Sequence, residues 1–580
     1  MQSDFQLGAW RVQPQLNCVS CDLKTVRLEP KMMEVLLCLA KGSGEVVSKE
    51  QLVGEVWRNT FVTDDVLIRC VSALRKAFGD DAGQPAIIQT IPKRGYRLLL
   101  PVVPVTHSPR PHGVSPSEFA DSIAVLPFEN AGPDPDMEYL SDGIAETIIN
   151  HLSRLKNLRV VPRTTTFQYK RKSLNPAAVG HELGVRLVLT GHVRQQCERL
   201  VVGTELIDTA RHSQLWGETY DRKMEDIFTI QNQIAAEIPN YLWLRLTDVE
   251  KRQLTKRPTE NRDAYHLYLK ALFFANKYSP EGFGKGLDYC RQAIAADPVY
   301  ADAFAALSYL YCLMGAFDVV PALEAFPRAR AAAVKALEID DGLSDAHAVL
   351  GFVQMVHDWD WPSAEAEFCR AIQLGPHMPG VHYAYSHWWL AQGQPQRAVS
   401  EAKLALELDP LSLPKNYHLG AVYFFGHEYD AAIEQLRRTC ELDPSFVIAH
   451  NLLAIIYAVK GMARESLAEA ERTRAYSDGL YIRVTLARIK ALTGNLAEAR
   501  EILNEVEHVE QVAKAPFSRA LWCAMIHSLL GEQDQAFAWL DKAYEAREPA
   551  LIYLNLFADF KSLHQDFRFA DLLRRIGLPS

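Results

Sequence analysis

Six cations fall between Arg69 and Arg97, against only two acids, Asp80 and Asp81. They belong to the run TDDVLIRCVSALRKAFGDDAGQPAIIQTIPKRGYR, Thr63 to Arg97. Leu67, Cys70, Val71, Leu74 and Phe78 recur at three- and four-residue steps and define the apolar face of a helix. Arg69, Ser72 and Lys76 then share the opposite face with Asp65, and Arg75 lies at its edge. Two short β-like runs follow, Ala86 to Ile91 and Gly95 to Leu100, joined by the tight turn Pro92-Lys93-Arg94. A cationic free helix face beside a hairpin with a cationic tip suits a DNA duplex. The helix takes the major groove, where a bidentate Arg–guanine pair gives about 1–3 kcal/mol of discrimination. Arg75 and Lys93 suit phosphates, which set register without reading sequence. A solvated face is the bland alternative, and Tyr96 is expected in the core. Asp64 and Asp65 suit the positive end of the helix dipole but repel phosphates, so base reading is expected from Arg69 onward.

Other chemistry is sparse. The sequence has no GxxxxGK[ST], no HExxH, no GxSxG and no GxGxxG after a strand. His181-Glu182 continues as HELGV, without the second histidine of a zinc helix. Cys18-Val-Ser-Cys21 is a lone CxxC, half of a structural zinc site. The ten cysteines are scattered, as reduced thiols of a cytoplasm are. No enzyme, cofactor or metal is expected.

The elements that must position the cations begin upstream. Phe5 to Arg27 alternates in short runs and predicts a small antiparallel sheet. Pro30 opens a helix ending before Gly42, and Ser48 caps SKEQLVGEVW. At 580 residues the chain needs about three to five units. The net charge of −9 excludes a general polycation, whereas up to Val105 there are 13 Lys and Arg against 11 Asp and Glu, so the basic character is local. The opening MQSDFQLGAW lacks the features of a signal peptide, and no run reaches the ~18 apolar residues of a membrane span. A bacterial cytoplasmic protein without membrane partners is expected.

The segments LEPKMMEVLLCLA, VSKEQLVGEVW, VTDDVLIRCVSALRKAFGD and IQTIPKRGYRL, in that order, resemble the OmpR/PhoB-type winged helix, and more closely its ToxR/CadC-like branch. The resemblance implies a recognition helix over Thr63 to Phe78 and a wing tip at Lys93-Arg94. It also implies that the Trp57–Val62 loop is the segment through which some relatives touch RNA polymerase. With the winged helix opening the sequence, a two-component response regulator is not expected. Pro101 to Phe119 holds five prolines and reads as a semi-rigid linker. With no transmembrane helix after it, the chain resembles the soluble HilA-like type. AVLPFEN, VVPRTTTF, ELGVRLVLTGHV, ELID and LWGETYDR resemble the TolB-like domain, and the basic run Arg163 to Lys172 within it reads as a solvated loop. Pro376, Pro410 and Pro444 recur at the tetratricopeptide period. Weaker copies from Asn261, Ala301, Ser344, Gly479 and Phe517 make about eight helical hairpins, with a terminal segment resembling a cap. Counting inward positions gives Tyr383, His387, Tyr417, Phe424 and Asn451 as groove candidates for a protein or peptide. Tyr385, Trp388 and Trp389 are expected in the core.

The expected architecture is therefore a multidomain α+β chain. It comprises a winged helix-turn-helix over 1–103, a Pro-rich linker over 104–120, a TolB-like α/β domain over 121–250 and an all-α TPR superhelix over 258–580. The expected function is sequence-specific binding of double-stranded promoter DNA by a one-component regulator, favouring activation, whose body senses, binds partners or self-associates into a homo-oligomer. The alternative is a TPR scaffold in which the winged helix mainly docks protein.

Overall fold

The computed structural model describes the chain except residues 1–4, 9, 15–17, 22–23, 43, 58–63, 82, 84, 93, 101, 105–121, 133, 135–136, 156, 171, 173–174, 197–198, 224–226, 243–246, 248–257, 278, 477–478, 510–519 and 580. It divides into two compact units, Met1–Val114 and Ser115–Ser580. Lys93, the loop after Trp57 and most of the expected linker lie outside the described residues.

The first unit opens with strands β1 (Phe5–Leu7), β2 (Trp10–Gln13), β3 (Cys18–Cys21) and β4 (Lys24–Arg27). Three helices follow, α1 (Pro30–Lys41), α2 (Lys49–Val56) and α3 (Asp64–Phe78), with the short strand β5 (Val47–Ser48) ahead of α2. Ser48 caps α2 as its spacing predicts: its side chain accepts from the Gln51 amide, and Gln51 returns a bond to the Ser48 amide. Strands β6 (Ile88–Ile91) and β7 (Gly95–Leu98) form the wing and pair with β5 in the order β5-β7-β6. Gly95 has φ +152°, and a Cβ there would lie 2.0 Å from the Val47 carbonyl oxygen, so the close β5–β7 approach requires glycine. Strand β8 (Val102–Pro104) pairs with β1 and completes the sheet β4-β3-β2-β1-β8. The linker reading of Pro101 onward is corrected here. Val102 and Val103 extend the fold, and Pro104 is tolerated because β8 is an edge strand.

In the second unit a mixed sheet has the order β11-β9-β12-β13-β14. Its strands are β9 (Ser122–Val125), β10 (Glu129–Asn130, paired with β12), β11 (Arg159–Val160), β12 (Leu187–Gln196), β13 (Arg199–Asp208) and β14 (Ser213–Lys223). Alternation sends Ile123, Val125, Leu187 and Leu189 to the face covered by α4 (Glu138–Ser153) and α7 (Ile227–Leu242). Ala124, Leu126 and Val188 go to a smaller core with α6 (Pro176–Glu182).

Eight helical hairpins are described after it. They are Arg262–Ala275 with Pro280–Ala296, Ala301–Ala316 with Ala322–Ile339, Ser344–Val353 with Trp361–Leu374, and Pro379–Ala391 with Pro395–Leu408. The remaining four are Leu413–Phe425 with Tyr429–Leu442, Val447–Val459 with Ala463–Tyr476, Leu480–Leu492 with Leu496–Val509, and Ala520–Leu529 with Gln533–Glu545. The starts expected near Asn261, Ala301, Ser344 and Gly479 coincide with helix starts, and Phe517 lies outside the described residues.

The α/β region and the solenoid are not separate bodies. Tyr265, Leu269, Tyr300 and Ala303 complete the core beneath α4 and α7. A Cβ on Gly143 would lie 2.8 Å from Leu269, so glycine permits this close packing. The run Arg163 to Lys172 is not a solvated loop. Thr165 and Thr166 are buried on the helical turn Arg163–Thr166. Thr164 and Thr165 donate to the Asp409 carboxylate at 2.6 and 2.7 Å, with Lys415 at 2.9 Å. Arg163 and Lys170 are neutralised by Glu146 and by Asp142 with Glu138. Arg163 and Lys170 are held inside the α/β region, while Thr164, Thr165 and Gln168 of this run join it to the solenoid at Asp409 and Leu411.

Candidate nucleic-acid interface

Helix α3 is fixed by its apolar face: Leu67, Val71, Leu74 and Phe78 are buried, and Phe78 packs edge-on against Trp10 at 5.2 Å between centroids. Tyr96 is buried, as expected. Arg69, Ser72 and Lys76 are exposed together on the free face, joined by Ile68, which is 46% exposed. Arg94 is exposed on the wing turn, where its amide donates to the Ile91 carbonyl at 3.0 Å. The geometry therefore brings four of the six expected cationic and hydroxyl contacts, Arg69, Ser72, Lys76 and Arg94, to described, solvent-facing positions.

Arg75 departs from the expected phosphate contact. Its guanidinium donates to the Ile88 carbonyl at 3.2 and 2.8 Å and to Thr90 Oγ1 at 2.8 Å. The planar, fixed fork of donors engages two acceptors of β6 at once. Arg75 bolts the helix to the wing.

Asp80, one of the two acids in the basic run, makes a second tie that sequence reasoning did not find. Its carboxylate accepts the amides of Ala86 at 2.6 Å, Ile87 at 3.1 Å and Ile88 at 2.8 Å. Three strand-end donors are satisfied by one ion. The available signal was an acid a few residues ahead of a strand in a turn rich in Asp and Gly. Arg97 lies on the wing and donates to Gln89 Oε1 at 2.7 Å. Helix and wing are thereby held at a fixed mutual angle before any DNA arrives, the preorganisation that lowers the ordering cost of binding.

The expected groove residues have a different setting. Asn451 and Phe424 are buried, Phe424 between Phe425 and Tyr429. Tyr417 packs edge-on against Phe446. Tyr383 meets His387 at 4.7 Å and His418 at 4.8 Å, and the two imidazoles stack at 3.8 Å. The hydroxyl of Tyr553 is hydrogen-bonded to His387 Nδ1, and its ring stacks on Phe425 at 5.4 Å. Tyr553 belongs to the 3-10 segment Pro549–Leu556, which with Ala558–Leu563 folds back over the first helices of the fourth, fifth and seventh hairpins. Arg488 grips Asp559 there with two buried bonds of 2.7 and 2.5 Å. Tyr553 of the chain's own C-terminal segment thus covers His387, one of the five expected groove positions. Tyr385 and Trp388 are buried and Trp389 partly so, as expected of core.

Among the described residues no group of three or more His, Cys, Asp or Glu could hold a metal ion. Among them, too, no helix is long and apolar enough to cross a membrane.

Residues 23–98 match the family described as "Transcriptional regulatory protein, C terminal", and residues 119–237 match "HilA/YgeH-like transcriptional regulator, second domain". A putative adenylate cyclase 3 of Rhizobium meliloti is 36% identical over 189 residues, 33% of this chain and 32% of that protein. The transcriptional regulator HilA of Salmonella typhimurium is 25% identical over 394 residues, 67% of each chain. The transcriptional activator CadC of Escherichia coli is 39% identical over 103 residues, 18% of this chain and 20% of that one. The chain thus spans about a third of the first of these relatives and two thirds of the second. Winged helix, second domain and regulator relatives agree: residues 23–98 match a transcriptional-regulator winged helix, residues 119–237 match a HilA-like second domain, and the chain is similar to ToxR/CadC-like regulators.

Proposed function

We propose that this chain is a cytoplasmic one-component transcription activator that binds specific promoter sites through α3 and the wing. The observation that carries it is the exposed row Arg69, Ser72 and Lys76 beside Arg94, on a frame locked by Arg75 and Asp80. Arg69 and Ser72 read base edges, while Lys76, Lys93 and Arg94 take phosphates. The loop from Trp57 to Val62 contacts RNA polymerase. The body of sheet and solenoid senses a signal, binds a partner protein or pairs two copies on tandem sites. It is not catalytic: the match to a putative adenylate cyclase covers 33% of this chain, and the sequence carries neither a P-loop nor a GxGxxG after a strand. The test is a fluorescence-anisotropy titration of the full chain on genomic fragments. Binding should be sequence-selective and fall steeply with salt. Binding without selectivity would leave only the alternative, a scaffold whose winged helix docks protein.

A further inference from the structure

Ile68 is the unusual member of the free face. Large apolar side chains of α3 such as Leu67, Val71, Leu74 and Phe78 are buried, yet Ile68 is 46% exposed. Among the described residues of the first unit only Leu99, at 40%, is a comparably exposed large hydrophobe. On a helix of 3.6 residues per turn, Ile68 lies about 40° around the axis from Ser72 and about 100° from Arg69. It falls on the flank shared with Arg75, the residue that turns to the wing. Arg69, Ser72 and Lys76 offer hydrogen bonds and charge; among the described residues of α3, Ile68 is the one large hydrophobe that is exposed.

One exposed isoleucine is ordinary on a protein surface. On a helix that enters the major groove it has a specific counterpart. The floor of that groove presents hydrogen-bonding edges for every base pair and one apolar group, the C5-methyl of thymine. A β-branched side chain is stiff at χ1, so Ile68 meets that methyl with little loss of rotamer freedom. We infer that Ile68 is a specificity-determining residue that packs on a thymine methyl beside the bases read by Arg69 and Ser72. The inference rests on the DNA-reading function proposed above. It adds a hydrophobic letter to a site otherwise read by polar groups, and it makes a T·A pair distinguishable from pairs lacking the methyl at that position.

The test uses the full chain and a labelled duplex chosen from the genomic fragments it binds. Each thymine is replaced singly by deoxyuridine, which keeps the base-pairing edge and removes the methyl. At one thymine of the site, wild-type affinity should fall about fourfold, the loss of one buried methyl. Ile68→Ala should bind the thymine duplex correspondingly less well and show no further loss with uracil. Ile68→Val should retain most of the discrimination. Because Ile68 is exposed, the alanine variant should keep the wild-type unfolding midpoint, which separates lost contact from lost fold. An equal uracil penalty in wild type and Ile68→Ala, or no responsive thymine in wild type, would overturn the inference while leaving selective DNA binding intact. Absence of any sequence-selective binding is a different outcome, and it would remove the DNA-reading function together with the inference.

Discussion

The Gln435 amide donates to the Asn416 side-chain oxygen at 2.8 Å, at the place where neighbouring hairpins hold a histidine against a glutamate. His382 Nδ1 lies 2.7 Å from Glu401 in the hairpin before, and His450 Nδ1 lies 2.8 Å from Glu469 in the one after. His347 and Glu367 repeat the pair at 2.6 Å in the third hairpin. In each case the first-helix residue also reaches back six positions to a carbonyl, Asp341, Pro376, Pro410 or Pro444. One buried polar joint is thus built four times, three times ionisable and once neutral. Gln435→Glu alone buries a carboxylate against an amide and should cost about 1–3 kcal/mol in urea unfolding. Adding Asn416→His should recover most of that loss; additivity of the two changes would refute the pairing.

Acid should destabilise the second unit through its buried neutral histidines. Burial pushes His387 down to about 3, and burial with the adjacent His387 holds His418 well below its ordinary value. A depressed histidine stays neutral in the folded chain while the unfolded chain protonates near 6.5. For His387 that contribution is complete above about 6.5 and is lost as pH falls toward about 3, by about 1.4 kcal/mol per pH unit, and His418 acts in the same direction. His347 and His382 act in the opposite sense. Burial lowers them, but Glu367 with the Asp341 carbonyl, and Glu401 with the Pro376 carbonyl, raise them overall. Their stabilisation is full below about 6.5 and is lost as pH rises through the raised value. Urea midpoints at pH 7.5, 6.5 and 5.5 should show a shallower acid limb in His387→Gln than in wild type. For Glu367→Gln the alkaline loss should diminish instead.

Much of the solenoid was legible because its spacing of 34 residues follows from stacking geometry, and the hairpin starts near Asn261, Ala301, Ser344 and Gly479 fell where the repeat placed them. The free face of α3 was legible for the same reason: Arg69, Ser72 and Lys76 follow helical periodicity. What was not legible depends on partners distant in sequence. Nothing near Arg75 announces that its guanidinium turns to Ile88, and nothing near Thr164 announces Asp409, 245 positions away. Nor does anything near His387 announce Tyr553, which bonds it from 166 positions downstream.

The Arg75 and Asp80 ties should separate stability from contact. Asp80→Ala strips three amides of their acceptor and should lower winged-helix stability by about 2 kcal/mol or more, with weaker DNA binding as a consequence. Lys76→Ala, on an exposed side chain, should leave the unfolding midpoint unchanged and reduce the salt slope of binding by about one. Paired thermal-melt and anisotropy measurements distinguish the two.

The turns within the hairpins carry a smaller, directional prediction. Gly393 and Gly461 take φ of +69° and +75° between their paired helices, whereas the equivalent residue of the fifth hairpin is His427 at φ +61°. A side chain there is strained, and the hydrogen bond of His427 Nδ1 with the Tyr429 hydroxyl at 3.0 Å offsets only part of it. His427→Gly should raise stability by about 0.5–1 kcal/mol, seen as a higher urea midpoint. A fall of similar size would show that the hydrogen bond outweighs the strain.

The proposed choice of promoter sites rests on the free face of α3. Genome-wide occupancy of the full chain, compared with an Arg69→Ala/Lys76→Ala variant of equal abundance and unfolding midpoint, tests it most directly. Discrete promoter-proximal sites are expected for the wild type, and their loss in the variant. Undiminished occupancy in the variant, or no discrete sites in the wild type, would contradict it.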